Sequence, residues 1–311
     1  MKKYNRAIII CLSVMLLVSL TACAPKKAVQ TLNFGAVGSV ELIPIIIADE
    51  KGYFEKEGID VKIQSFKSAK DRDAAFQSGN LDGIICDEVA ICLYQNAGFD
   101  VKITGATDGN FMLIANPNSG IKSISEMKDK SVAISENTCI EYTLDTLLEK
   151  NSLKPEDVQK SMVPAIPTRL EMLRTNKVDA ALLPEPFSTL ALKDGGMLLG
   201  SANEAGIYTS VTAFTQEAIN NKSAEIKAFF KVYNQGVDYI NNTPIAEYED
   251  TIIKTVGYPE DMKGKIELPK FRKNLLPKDT EIKPVIDWAL KNNLLKKEFA
   301  PKDLVSNIGI N

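Results

Sequence analysis

Phe76-Gln77-Ser78-Gly79-Asn80-Leu81-Asp82-Gly83-Ile84-Ile85-Cys86-Asp87-Glu88 recurs 97 residues later as Leu173-Arg174-Thr175-Asn176-Lys177-Val178-Asp179-Ala180-Ala181-Leu182-Leu183-Pro184-Glu185. Each copy reads as a helix end, a Gly or Asn suited to a left-handed cap, a short apolar strand, and a carboxylate where the strand stops. Neighbouring elements keep nearly the same spacing: strand 32–36 answers 132–135, and strand 61–64 answers 159–163. A strand–helix–strand–helix–strand unit therefore occurs twice, which predicts two similar α/β lobes. Ligands bind beyond the carboxyl ends of strands in such sheets, so the cleft between the lobes is where function is expected.

Outward from the repeat, lobe one is read as strand 32–37, helix 42–51 stopped by Gly52, strand 59–64, helix 70–78, strand 83–86, helix 88–95 and strands 101–106 and 111–116. The turn formers Asn116-Pro117-Asn118-Ser119-Gly120 place the first crossing just before Asn116. Lobe two follows with strand 132–135, helix 140–150, strand 161–163, helix 168–175, strand 179–183 and strand 197–200. The β-branched and aromatic run 207–214 carries the chain back. The division is residues 31–115 with 209–311 for lobe one, and 116–208 for lobe two. Helical patterns at 224–241, 245–255 and 283–293 complete the chain, with Trp288 read as core packing.

The N-terminus stands apart. Lys2, Lys3 and Arg6 precede an apolar run over 7–20, followed by Leu20-Thr21-Ala22-Cys23. A positive start, a short apolar core and small residues at its end describe a secretory signal peptide over 1–22. The run is too short and wrongly flanked for a stable membrane span. Leu-Thr-Ala-Cys resembles the bacterial lipobox, which implies a lipidated (palmitate-bearing) Cys23, a tether over 23–30, and anchoring at the extracytoplasmic face of the cell membrane. Losing Lys2, Lys3 and Arg6 leaves 34 Lys+Arg against 40 Asp+Glu, a net charge of −6. With no basic run, nucleic acid is not an expected partner.

With 311 residues, 25% charged and 45% apolar, the chain has the length for two ordinary globular domains. It contains no histidine. That excludes a Ser-His or Cys-His nucleophile pair, an imidazole base and a His-ligated metal; no cofactor and no metal site is expected. Cys86, Cys92 and Cys139 remain once Cys11 and Cys23 are set aside, an odd number that implies no disulfide framework. Cys86 and Cys92 lie in apolar stretches and are read as buried small hydrophobes.

Three stretches carry a family likeness: Pro44-x3-Ala48-x3-Gly52-Tyr53-Phe54-x3-Gly58-Ile59-Asp60-Val61, the turn Ser78-Gly79-Asn80-Leu81-Asp82, and Val178-Asp179-Ala180-Ala181 with Glu185-Pro186-Phe187. Together they resemble the solute-binding lipoproteins of ABC importers that carry nitrate, alkanesulfonates, taurine and thiamine-pyrimidine precursors. The likeness covers about residues 31–220. It implies a type II periplasmic-binding-protein fold: two α/β lobes, each a mixed sheet flanked by helices, joined by two hinge crossovers. It also implies a small-molecule solute as ligand, and an ABC permease with its ATPase as partners. The Asp-Trp-x-Pro-Asn start associated with pyrimidine binders is replaced by Ala36-Val37-Gly38-Ser39.

Within this frame the ligand lies where strands end and helices begin, because free backbone N–H groups gather there. The junctions supply the candidate ligand-binding set: Ser39 and Glu41; Asp87 and Glu88; Asp108 near the hinge; Ser135, Asn137 and Thr138; Glu185 and Phe187. They carry carboxylates and no Lys or Arg, which points to an amine-bearing or N-heterocyclic solute over an oxyanion. Arg169, at the start of a lobe-two helix, is the nearby cation able to reverse that sign. Asp82 and Asp179 are read as turn-fixing residues. No catalytic residue is assigned; the alternatives are a secreted enzyme of the same fold using cleft carboxylates such as Glu88 and Glu185, or a ligand sensor.

Overall fold

A computed structural model describes residues 30–310. The expected leader, Cys23, and all of the tether except Gln30 lie outside the described residues. The first half builds β1 (Thr31–Val37), α1 (Ile43–Glu50), α2 (Tyr53–Glu57), β2 (Asp60–Phe66), α3 (Ala69–Gln77), β3 (Gly83–Asp87), α4 (Glu88–Asn96) and β4 (Val101–Ala106). Local chemistry sets these limits. Gly52 and Gly58 take left-handed backbone on either side of α2, with φ of 67° and 78°. Ser68 caps α3 by accepting the Asp71 N–H at 3.1 Å.

The second half repeats the plan. β5 (Phe111–Ala115), β6 (Ser131–Ile134), α5 (Cys139–Lys150), β7 (Gln159–Met162), α6 (Ile166–Arg174), β8 (Ala180–Pro184), α7 (Phe187–Lys193) and β9 (Met197–Ser201) follow. β10 (Ser210–Thr215), α8 (Gln216–Asn221), α9 (Ser223–Asn242), α10 (Glu249–Val256), α11 (Asp279–Lys291) and α12 (Pro301–Leu304) complete the chain. Two five-stranded sheets result, ordered β2-β1-β3-β10-β4 and β7-β6-β8-β5-β9. Position for position the two orders agree. In each, three parallel strands come from the local repeat unit, while the fourth runs antiparallel.

β5 and β10 are those antiparallel strands, and they define the crossings. The run 111–116, expected in lobe one, belongs to the second sheet: Phe111 pairs with Pro184, and Met112 with Ser201. The chain therefore crosses at residues 107–110, earlier than the turn formers at 116–120 imply. It returns between β9 and β10, where β10 enters the first sheet against β3 and β4. Gly109 lies in the first crossing, and a Cβ there would stand 2.2 Å from Ser210 Oγ and 2.8 Å from Glu41 Cδ. Only glycine lets the backbone pass so close to both.

β3 and β8 are buried throughout, as expected for central strands covered on both faces. α9 packs on α1, where a Cβ on Gly236 would meet the Pro44 carbonyl at 2.2 Å. Beneath them Phe34, Phe54, Phe214, Phe229 and Phe230 form an aromatic cluster, with Phe34 and Phe229 ring centroids 4.8 Å apart. A further apolar cluster runs from α4 through α5 to α11 and so joins the two halves. Trp288 belongs to it, stacking edge-on to Tyr142 and donating from Nε1 to Asp145 at 3.0 Å. Among the described residues no helix is long and apolar enough to cross a membrane.

Candidate functional site

The turn aspartates ahead of β3 and β8 set both strands in place. Asp82 accepts the Asn33 N–H at 2.8 Å, and Asp179 accepts the Ser131 N–H at 2.8 Å. Each ties the repeated strand to the first strand of its own sheet. They are fold residues at the amino ends of these strands, remote from the carboxyl ends. Burial raises Asp179 while the Ser131 hydrogen bonds outweigh it, holding the carboxyl below the usual carboxylate value.

At the opposite, carboxyl ends of β3 and β8 lies a cavity of about 60 Å³. From the first sheet it is lined by Val37, Ser39, Glu41, Arg72, Cys86 and Asp87; from the second by Ser135, Thr138, Cys139, Arg169 and Pro184. The rims touch: the Ile166 N–H donates to the Lys67 carbonyl at 3.3 Å, and Lys193 pairs with Asp261. Cys139 at the start of α5 and Asp87 at the start of α4 both line the cavity.

Glu41 is 8% exposed and satisfied by hydroxyls. Its carboxylate accepts from Thr107 Oγ1 at 2.5 Å and Ser39 Oγ at 3.2 Å, with Ser210 also lining the cavity. Burial raises its pKa, and these hydroxyls oppose the rise. Asp87 caps α4 by accepting the Ala90 N–H at 3.0 Å. Burial raises Asp87 too, with Arg72 working against it.

Two guanidinium groups share the cavity, and neither lies at a strand–helix junction. Arg72 comes from α3 and Arg169 from α6, at 4% and 1% exposure. Arg72 Nη1 donates to the Ile85 carbonyl at 3.0 Å, and its Nε reaches Asp73 at 2.8 Å. Burial pulls Arg72 down, but Asp73 holds it above the ordinary arginine value. Arg169 Nη1 donates to the Leu182 carbonyl at 2.6 Å, and its buried Nε has no acceptor. Burial lowers Arg169 to about 10, so it stays charged at neutral pH. The junctions themselves carry no cation, as read from the sequence, but Arg169 reaches the cavity and Arg72 joins it. The arginines project from the middle of helices one turn before the repeated strands, not from the junctions.

Of the residues expected at the cleft, Ser39, Glu41, Asp87, Ser135 and Thr138 line the cavity. Glu88, Asp108, Asn137, Glu185 and Phe187 are not among its lining residues. Glu88, the first residue of α4, is 0% exposed with neither carboxyl oxygen partnered. Burial first, then Glu281 and Asp87, raise its pKa well above the usual carboxylate value. Asp108 accepts the Arg272 N–H at 2.7 Å and pairs with the same guanidinium. Asn137, at φ 55°, donates its N–H to Glu141 at 2.8 Å. Glu185 turns back on its own helix, accepting the Thr189 N–H at 3.2 Å, and half-buried Phe187 packs with the lobe-two core. Among the described residues no group of three or more Cys, Asp or Glu is arranged to hold a metal ion.

Two sheets of one order, joined by two crossings around a cavity lined from both sheets, define the two-lobed fold of the periplasmic binding proteins. The periplasmic aliphatic sulphonate binding protein SsuA from Escherichia coli superposes with a TM-score of 0.74 at 18% identity, over 89% of this chain and 92% of that one. The chain belongs to the NMT1/THI5-like family, whose model matches residues 39–247. A Bacillus subtilis (strain 168) relative, provisionally named an aliphatic sulfonates-binding protein, is 24% identical over 92% of this chain and 89% of its own. A Brachyspira hyodysenteriae (strain ATCC 49526 / WA1) relative, provisionally named an ABC transporter periplasmic binding protein, is 22% identical over 72% and 71%.

Proposed function

We propose that this chain is the solute-binding component of an ABC importer, anchored by a lipid on Cys23 at the extracytoplasmic face and delivering a small molecule to a permease and its ATPase. One observation carries the reading: the cavity between the carboxyl ends of β3 and β8 is walled from both sheets by buried polar and charged side chains. The names of the Bacillus and Brachyspira relatives support it. Two crossing strands supply the hinge, and a solute touching both lobes favours closure by its differential affinity for that state. Glu41 and Asp87 in the cavity wall support a solute with N–H donors, amine-bearing or N-heterocyclic.

Native mass spectrometry of the protein purified from its host, followed by titration calorimetry with the solute recovered, tests this. Saturable binding with the solute released unchanged is expected. A solute returned chemically altered would overturn the reading in favour of an enzyme. Intact mass of detergent-extracted protein reads the anchor: the chain is expected to begin at Cys23 with added acyl mass.

A further inference from the structure

Behind the cavity wall the two halves meet along a seam of three helices. Asp87 and Cys139 line the cavity, and the helices they lead into, α4 from the first half and α5 from the second, pack on each other. α11 lies across both. It is tied to α5 by the Trp288–Asp145 hydrogen bond and by Lys291, which reaches Glu149 at 2.7 Å. The chain just after it is tied to α4, where Asn96 donates to the Leu294 carbonyl at 3.2 Å and accepts the Lys296 N–H at 2.8 Å.

Glu88 begins α4 at this seam, fully buried, with both carboxyl oxygens unpartnered. The groups that face it supply no cation. They are Glu281 of α11, Asp87 at the end of β3, Cys92 on its own helix and Tyr142 of α5. β10 carries no charged side chain, and Lys102 of β4 is engaged by the Asp303 carbonyl at 2.8 Å. Further along, Lys160 is taken by Glu141 and Asp145, and Lys283 by Asp287 and Glu298. Burial pushes Tyr142 and Cys92 upward, so both stay neutral through pH 8. An ionised Glu88 would thus be a buried charge beside two acids, far costlier than the neutral acid. Parting α4 from α5 would admit water and remove that cost.

We propose that Glu88 is a proton site coupled to lobe closure: the closed form seals a protonated Glu88 between α4, α5 and α11, and its ionisation favours the open form. The proposal takes lobe closure from the reading above and adds a regulator outside the solute cavity. The closed form binds the proton more tightly, so the closed-to-open ratio is greatest at and below the ordinary carboxylate value of 4.5. Above it the ratio falls by up to about tenfold per pH unit, until the closed form ionises too. Solute is therefore held best in mildly acidic surroundings.

Closure can be followed without a solute. Small-angle X-ray scattering gives the radius of gyration, and emission from Trp288, the sole tryptophan, reports on the seam. Between pH 5 and pH 8 the wild-type radius is expected to grow and the emission to shift red, as the closed-to-open ratio falls at least tenfold. Glu88→Gln is expected to hold one radius and one emission wavelength throughout. Glu281→Gln keeps an oxygen for the Lys278 N–H but removes a repelling neighbour, and is expected to shrink the fall at least twofold. Circular dichroism at each pH checks that all three proteins are folded. A flat wild-type profile, or a profile that Glu88→Gln reproduces, would overturn the proposal. Neither result involves a solute, so either would leave the solute-binding reading standing.

Discussion

Asp145→Ala is expected to destabilise the protein by about 2–3 kcal/mol, because one buried carboxylate serves partners from two directions. Asp145 on α5 accepts Trp288 Nε1 of α11 at 3.0 Å and pairs with Lys160 Nζ at 2.7 Å, with its side chain 2% exposed. Truncation strands the indole N–H in an apolar cluster, a loss of about 1–3 kcal/mol. Breaking a fully buried ion pair costs about 3–5 kcal/mol. Lys160 escapes most of that, since it is 17% exposed and keeps Glu141 at 2.8 Å. Trp288 is the sole tryptophan of the chain, so its emission reports this contact directly. Urea unfolding followed by tryptophan fluorescence and by circular dichroism is the assay. With a slope of roughly 2–3 kcal/mol/M, the midpoint should fall by about 1 M. Asp145→Asn, which retains an acceptor for the indole, should lose less. A midpoint for Asp145→Ala within 0.2 M (roughly 0.5 kcal/mol) of wild type would refute the reasoning.

Glu88 should make the protein less stable as pH rises. Its folded-state pKa lies well above the ordinary 4.5, so the folded form binds more protons than the unfolded form, and stability declines from about that pH upward. Glu88→Gln is expected to match wild type near pH 4.5 and to melt higher than wild type at pH 8; equal melting temperatures at pH 8 would exclude the effect. Gly109→Ala should cost about 1–3 kcal/mol, because the new methyl group meets Ser210 and Glu41 at the first crossing; an unchanged melting curve would contradict it. Phe229→Ala should cost about 3–5 kcal/mol by opening a cavity among four neighbouring rings, measured as a loss of unfolding free energy.

Much of this architecture is legible in the amino-acid order because it is encoded twice. The repeated strand, its cap and its turn aspartate fall 97 residues apart, and the two sheets share one strand order. The placement of β5 is not legible, since which sheet an apolar strand joins depends on distant partners, here Pro184 and Ser201. Half of the candidate site follows from strand ends and helix starts: Ser39, Glu41, Asp87, Ser135 and Thr138. Glu88 and Glu185 miss the cavity: Glu88 is the first residue of α4 and fully buried, and Glu185 lies in the turn before α7, where its carboxylate accepts the Thr189 N–H. Arg72 lies in mid-helix, away from any strand–helix junction, so junction chemistry does not reveal it. The signal was nonetheless available, for the same 97-residue offset links it to Arg169.

Glu41 is held by Thr107, just before the first crossing, and lines the cavity with Ser210, at the start of the strand that returns. One carboxylate thus lines the proposed solute pocket and contacts both spans that join the halves. If the proposed closure operates, replacing this carboxylate to retune selectivity would also loosen the joint between the halves. Screening such variants by affinity alone will confuse a changed taste with a changed gape.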